Sequence, residues 1–301
     1  MFDNIFAAIE KWMRELLTGM VESNMSTMFT DVNEKTSEIA AQVGRTPQNW
    51  NSSVFSMIQN LSESVVVPIA GIIITLVLCY ELISMLTERN NLHDVDTWMF
   101  FKYFVKAWVA IYLVSNTFTI TMAVFDVGQS VVNSASGIIN GETAIDVSSL
   151  SMQMQAAMAT MEIGELVVLA LETFLVSFCM KIMSVVITVI VYGRMIEIYL
   201  YTSLAPIPFA TMSNREWGHV GTNYFRGLFA LAFQAFLMMV CVAIYAALIS
   251  SVRISSNMHS ALIGVAAYTV ILCFSLMKTG SLSKQLSLIH ISEPTRPLYI
   301  S

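Results

Sequence analysis

The chain has 301 residues, of which 56% are hydrophobic and only 12% charged, against roughly 25% charged in an ordinary soluble domain. With a mean hydropathy of +0.68, it is expected to fold in a membrane rather than as two soluble domains. The formal charge of −6 excludes a basic nucleic-acid-binding surface spread over the whole protein.

At the start, Phe2, Ile5, Phe6, Ile9, Trp12, Met13, Leu16, Leu17 and Met20 recur at the three-and-four spacing of one helical face. Asp3, Asn4, Glu10, Lys11, Arg14 and Glu15 fall between them. The segment is expected to be an amphipathic helix lying in a membrane interface or docking on a partner through Phe6, Ile9, Met13 and Leu16. It lacks the basic start, unbroken apolar run and small-residue cleavage site of a secretory signal. Asp31 to Ser64 is polar and broken by Gly44 and Pro47, and is expected to form two short helices leading into the first span.

Five apolar cores follow: Val65 to Leu86, Phe104 to Phe125, Leu166 to Tyr192, Leu228 to Ile249 and Ala261 to Met277. Each approaches or exceeds the roughly 17–25 residues that carry a helix across hydrocarbon. The predicted fold is all-α, a polytopic membrane helix bundle of about five transmembrane spans. It divides into an amphipathic and polar segment (1–63), a membrane domain (64–284) and a tail (285–301). Met195 to Met212 is apolar enough to be another span, yet Glu197, Pro206 and Pro208 interrupt it. It is expected to be a Pro-broken re-entrant or interfacial segment, sheltered by protein or facing water.

Lys and Arg accumulate beside cytoplasmic span ends. Arg89, Lys102, Lys106, Arg194, Arg215, Arg226, Lys278 and Lys284 therefore belong inside, which leaves the Lys/Arg-free stretch Val127 to Gly164 outside. Five spans then give an external N-terminus and a cytoplasmic C-terminus.

Ionisable groups at membrane depth are costly unless paired or wetted, so they are candidate functional positions. Glu81, Lys102 and Lys106 lie near span ends and can snorkel. Glu172 and Lys181 lie well inside the third span, two and a half turns apart and so on opposite faces. Arg194 and Glu197 are spaced for a local pair. Gln234, Asn116 and the Ser115, Thr117, Thr119 and Thr121 set add polar surface suited to a wet path or to gluing helices.

Cys79, Cys179, Cys241 and Cys273 all fall in apolar cores without a CxxC and are expected to be buried thiols. The scattered His93, His219, His259 and His290 offer no metal-ligand spacing. No phosphate loop, GxSxG or HExxH occurs, so neither enzymic activity nor a cofactor or metal is expected.

Several stretches carry a resemblance: MFDNIFAAIEKWMRELL, WNSSVFSMIQNLSESVVVPIAG, ERNNLHDVDTW, and above all YGRMIEIYLYTSLAPIPFATMSNREWG with the later KTGSLSK. Together they resemble the TrbL-type polytopic channel subunit of type IV secretion and conjugation machines, in the version carried by integrative conjugative elements of Gram-positive anaerobes. The resemblance covers about residues 1 to 284. It implies a multi-pass cell-membrane protein that works with other secretion subunits, separate ATPases among them, and helps pass a protein-linked DNA strand. It also implies a homo-oligomer in contact with lipid and transient contact with the DNA–protein substrate. A secondary transporter of a small molecule and a purely structural assembly scaffold are the rival readings. The tail departs from the pattern: LSLIHISEPTR at Leu286 to Arg296 resembles a translated sequencing adapter. The residues from Gln285 onward are expected to be foreign to the native protein and dispensable.

Overall fold

The computed structural model describes residues 2–87, 97–139, 147–251 and 258–288. Among them the chain is helical with short turns and contains no strand. The order is α1 (Phe2–Val43), α2 (Pro47–Trp50), α3 (Ser52–Leu61), a π-helical turn (Ser62–Val66), α4 (Val67–Thr87), α5 (Thr97–Ser115), α6 (Thr117–Ile139), α7 (Val147–Met158), α8 (Ile163–Ser203), α9 (Pro206–Thr211), α10 (Gly218–Ser250) and α11 (Met258–Leu288). Among the described residues, five helical segments are long and apolar enough to cross a membrane: Ser52–Thr87, Trp98–Ser115, Ile163–Ser203, Gly218–Ser250 and Met258–Leu286.

Local chemistry sets the boundaries. Gly44 and Pro47 end α1 and open α2, where the Thr46 side chain accepts from the Asn49 amide and Pro47 takes the first turn. Asn51 caps α3 by accepting from the Ser53 and Val54 amides at 3.1 Å. Just beyond, Pro68 brings no N–H, and its ring crowds the carbonyl four residues earlier. The π turn at Ser62–Val66, closed by the Val67 amide on the Ser62 carbonyl, widens the helix at that point and lets it run on into α4.

Several elements differ from their sequence expectation. The helix that starts at Phe2 does not stop in the polar segment but runs through it to Val43. The buried positions Val21, Met25, Met28, Val32, Ile39 and Val43 supply the reason, since they continue one apolar edge. The second core, Phe104 to Phe125, is interrupted at Asn116, so its span is Trp98–Ser115. The stretch Val127 to Gly164 is largely helical, as the end of α6 and α7. Met195 to Met212 divides: its first half continues α8 to Ser203, and only Pro206–Thr211 forms a separate element. α11 extends to Leu288, while the rest of the adapter-like tail lies outside the described residues.

The chain forms two compact units. The first comprises Met1–Val43, Asn133–Tyr192 and Leu237–Thr279. In it α1 lies beside α7 and, farther along, beside α8, α10 and α11, whose residues share a cavity with it. Outward-facing positions on α8 stay apolar: Phe174, Phe178 and Val185 are 58%, 57% and 64% exposed. A helix greasy on its open side as well as its packed side is built for lipid.

The second unit comprises Gly44–Val132, Gly193–Phe236 and Gly280–Ser301. Here α9 is held against α4 and α5, with Ala70, Ile74, Ala110, Phe209 and Tyr224 in one apolar cluster. A second cluster joins Val124, Phe125, Met195, Ile198, Leu228 and Leu231. Asn214 accepts from the Glu216 and Trp217 amides and turns the chain from α9 into α10. The turn is fastened to α4, because Tyr80 donates to Glu216 at 3.1 Å and stacks on Trp217.

At Gly221 a Cβ would collide with the Met212 side chain and lie 2.5 Å from the Pro208 carbonyl oxygen, whereas at Gly264 nothing stands within 4 Å. Gly221→Ala should therefore destabilise the protein by about 1–3 kcal/mol, as overpacking against backbone does. Gly264→Ala should be neutral or stabilising by up to about 1 kcal/mol. Thermal unfolding of both variants in the same detergent checks the contrast.

Candidate membrane-depth polar site

α8 carries Glu172 and Lys181 because its apolar run is long enough to hold two charges without losing its lipid-facing character. Glu172 is not left to water. It pairs with Nδ1 of His259, the second residue of α11, and both side chains are about one-third exposed. His259 is thus a helical residue rather than a loop residue. It also places Glu172 level with the start of α11. Lys181, on the other face, is exposed and makes no ion pair among the described residues. The two do not meet, as their spacing requires.

The polar surroundings of α8 come largely from α1, which the sequence pattern had placed outside the membrane domain. Three side-chain contacts follow one another along α1 and along α8 with the turn just before it. Arg14 donates to the Met161 carbonyl at 2.7 Å, Asn24 Nδ2 to Thr173 Oγ1 at 3.5 Å, and Lys35 Nζ to Thr188 Oγ1 at 3.1 Å. Their sequence separations of 147, 149 and 153 stay nearly constant, so α1 and α8 run parallel. Lys35 is also paired with Glu38, one turn on, which removes its net charge from the interface. Beside it Asp31, Lys35 and Thr36 border a cavity of about 20 Å³ together with Ser184, Tyr245 and Thr269. Tyr245 and Thr269 are hydrogen-bonded to each other at 2.9 Å, joining α10 to α11. α8 contributes Thr173, Ser184 and Thr188, α10 Tyr245 and α11 Thr269 where the polar helix meets them, which satisfies groups that hydrocarbon would leave bare. Hydropathy alone could not reveal this. The three-and-four recurrence of Val21, Met25, Met28 and Val32 was the available signal.

Arg194 and Glu197, in the second unit, do not form the local pair that their spacing allows. Arg194 is only 6% exposed and turns inward, where its Nη2 donates to the Leu231 carbonyl at 3.4 Å while Nε has no partner among the described residues. Glu197 points the other way and accepts from Lys284 Nζ of α11 at 3.1 Å, at a part-exposed position. Two charges on adjacent turns thus serve different neighbours. Glu81 and Lys106, expected to snorkel, pair with each other across α4 and α5 instead. Asn214 adds a 3.5 Å contact to the same carboxylate.

The N-terminal face is open. Phe6, Ile9 and Leu16 are 68%, 48% and 49% exposed, and Met13 is half-buried. Ile5 and Trp12 extend the same uncovered surface. The cysteines differ from expectation: Cys273 is buried and Cys241 half-buried, but Cys79 and Cys179 are exposed. Both lie on apolar span surfaces, so a hydrophobic position in a membrane helix need not be an interior one.

No curated protein and no solved structure matches the chain. Residues 32–206 match the family described as TrbL/VirB6 plasmid conjugal transfer like protein. The match runs from the polar half of α1 through the first three spans to the start of α9, taking in Glu172, Lys181, Arg194 and Glu197. This multi-pass membrane protein, a component of conjugal transfer, belongs to the TrbL/VirB6 family.

Proposed function

We propose that the chain is a channel subunit in the cytoplasmic membrane of a conjugative type IV secretion machine and helps move protein-linked DNA across that membrane. It does so as a homo-oligomer, without catalysis of its own, while separate ATPases supply the energy. The observation that carries the channel reading is the polar seam between α1 and α8, which sets Asn24, Asp31 and Lys35 against the apolar helices of the first unit. Lys181 and the Glu172–His259 pair add charge on the same helix.

The N-terminus and the 127–164 stretch are assigned to the outer side and the C-terminus to the cytoplasm. The distribution of Lys and Arg supports this orientation. So does the bond from Arg14 to the Met161 carbonyl, which keeps the start of α1 and the start of α8 at one end of their unit. The uncovered Phe6–Ile9–Leu16 face is assigned to docking on lipid or on a neighbouring secretion subunit.

Three experiments test these assignments. In a background lacking the native cysteines, a cysteine at Ser149 should react with a membrane-impermeant reagent on intact cells; reaction only after the cells are opened would reverse the orientation. Changing Ile9 and Met13 together to Asp should abolish assembly with partner subunits while the spans still insert, as co-purification and membrane extraction would show. Lys181→Met should cut conjugative DNA transfer strongly at normal membrane abundance and with partners still bound. Transfer that falls only in step with abundance marks a scaffold.

A further inference from the structure

In the second unit one carboxylate stands within reach of two cations. Arg194 and Glu197 are three residues apart on α8, a spacing at which helix side chains can pair. Lys284 reaches the same carboxylate from α11 at 3.1 Å and holds it. Arg194 is left inward, in the apolar cluster around Met195 and Leu231. Its head has only the 3.4 Å contact to the Leu231 carbonyl and the Met195 sulfur at 4.0 Å, and no carboxylate pairs with it among the described residues.

The two ways of sharing Glu197 are closely balanced. The pair in place is a weak tie, because its side chains are 55% and 43% exposed and water screens them. The costly member is Arg194, whose buried Nε has no partner among the described residues. Its stem can stay packed while the head turns outward, as long cationic side chains do, and its planar fork can grip both oxygens of a carboxylate where an ammonium grips one. Against that turn stand the space it would empty beside Leu231 and the loss of the Lys284 bond. The Leu231 carbonyl itself lies within α10 and loses nothing essential.

The end of α11 depends on which cation wins. Gly280 sits against α10, where a Cβ would come 3.3 Å from Gln234 Nε2, and Ser283 is only 2% exposed and donates to the Gly280 carbonyl. The Lys284 bond fastens this closely packed segment to α8. We infer that Glu197 is the shared anion of a two-state ion-pair switch. In one state Lys284 holds it and the head of Arg194 is buried; in the other Arg194 swings out to take it, and residues 280–286 of α11 come away from α8. An acidic group that engages Lys284 favours the second state, since it frees Glu197 for Arg194.

The full-length protein in detergent tests the switch. The four native cysteines are replaced by alanine, Ser283→Cys supplies a single thiol, and its rate of reaction with a maleimide reads how often the end of α11 leaves its seat. Arg194→Met should slow the reaction several-fold, because the open state has lost the cation that holds it open. In a Glu197→Gln background the same substitution should change nothing. Lys284→Met should speed the reaction several-fold, and adding Arg194→Met should reverse most of that rise. A rate indifferent to Arg194→Met, an equal slowing with Glu197→Gln, or no reaction in any variant would overturn the inference. Each would leave a fixed Lys284 to Glu197 bond beside an uninvolved arginine. Arg194→Gln gives the same reading should methionine not be accommodated.

Discussion

A peptide group in hydrocarbon finds no water to bond, and nearly everything in this molecule follows from that constraint. It makes the described chain helical from end to end, and it makes every interruption costly. Three interruptions among the described residues show how each is repaired. At Pro68 the chain widens into a π turn and keeps its hydrogen bonds. At the turn after α9 the Asn214 side chain accepts the amides that helix geometry leaves free. Pro206 opens α9 where a missing N–H is harmless. The same economy governs side chains: Thr121, Thr173 and Thr202 each donate to a carbonyl one turn back within their own helix, and Thr117, at the start of α6, donates to the Val114 carbonyl at the end of α5. Their hydroxyls are thereby satisfied before any neighbour is needed.

Charged groups cannot be satisfied so locally, and they organise the contacts between helices. Glu172 with His259, Glu197 with Lys284 and Glu81 with Lys106 each tie one helix to another. Because all three pairs are part-exposed, they gain modest energy and mainly fix register and rotation. Arg194 stands apart. Buried, and offered little beyond a long carbonyl contact, its guanidinium retains donors that a partner or a rearrangement of the unit would satisfy.

Much of this was legible in the amino-acid sequence, and the reason is length. An apolar run such as Leu228 to Ile249 has no common explanation but a span, and its helix appears where the run does. Gly44 with Pro47, and Pro206 with Pro208, likewise mark real breaks. What stayed hidden was pairing. Nothing local to Glu172 indicates His259, 87 residues away, and three-residue spacing favoured a bond from Arg194 to Glu197 that loses to Lys284. Helix α1 was hidden for a different reason: hydropathy averages over a turn, so the buried edge from Val21 to Val43 was cancelled by the Ser, Thr and Glu on the other side. Exposure of Cys79 and Cys179 eluded sequence reasoning similarly, since in lipid the greasy side of a helix faces outward as often as inward.

The parallel docking of α1 on α8 also bears on how the protein is made. α1 leaves the ribosome before α8 and α11, yet the surface it occupies is built from residues as distant as Thr188 on α8 and Thr269 on α11. It waits for partners made after it, and long-range contacts of this kind close late. Ile5, Phe6, Ile9 and Trp12, the uncovered residues at its front end, give it somewhere to wait: an amphipathic segment rests at the headgroup boundary. The order of synthesis thus bears on the order of assembly, because α1 is made before the surface that seats it.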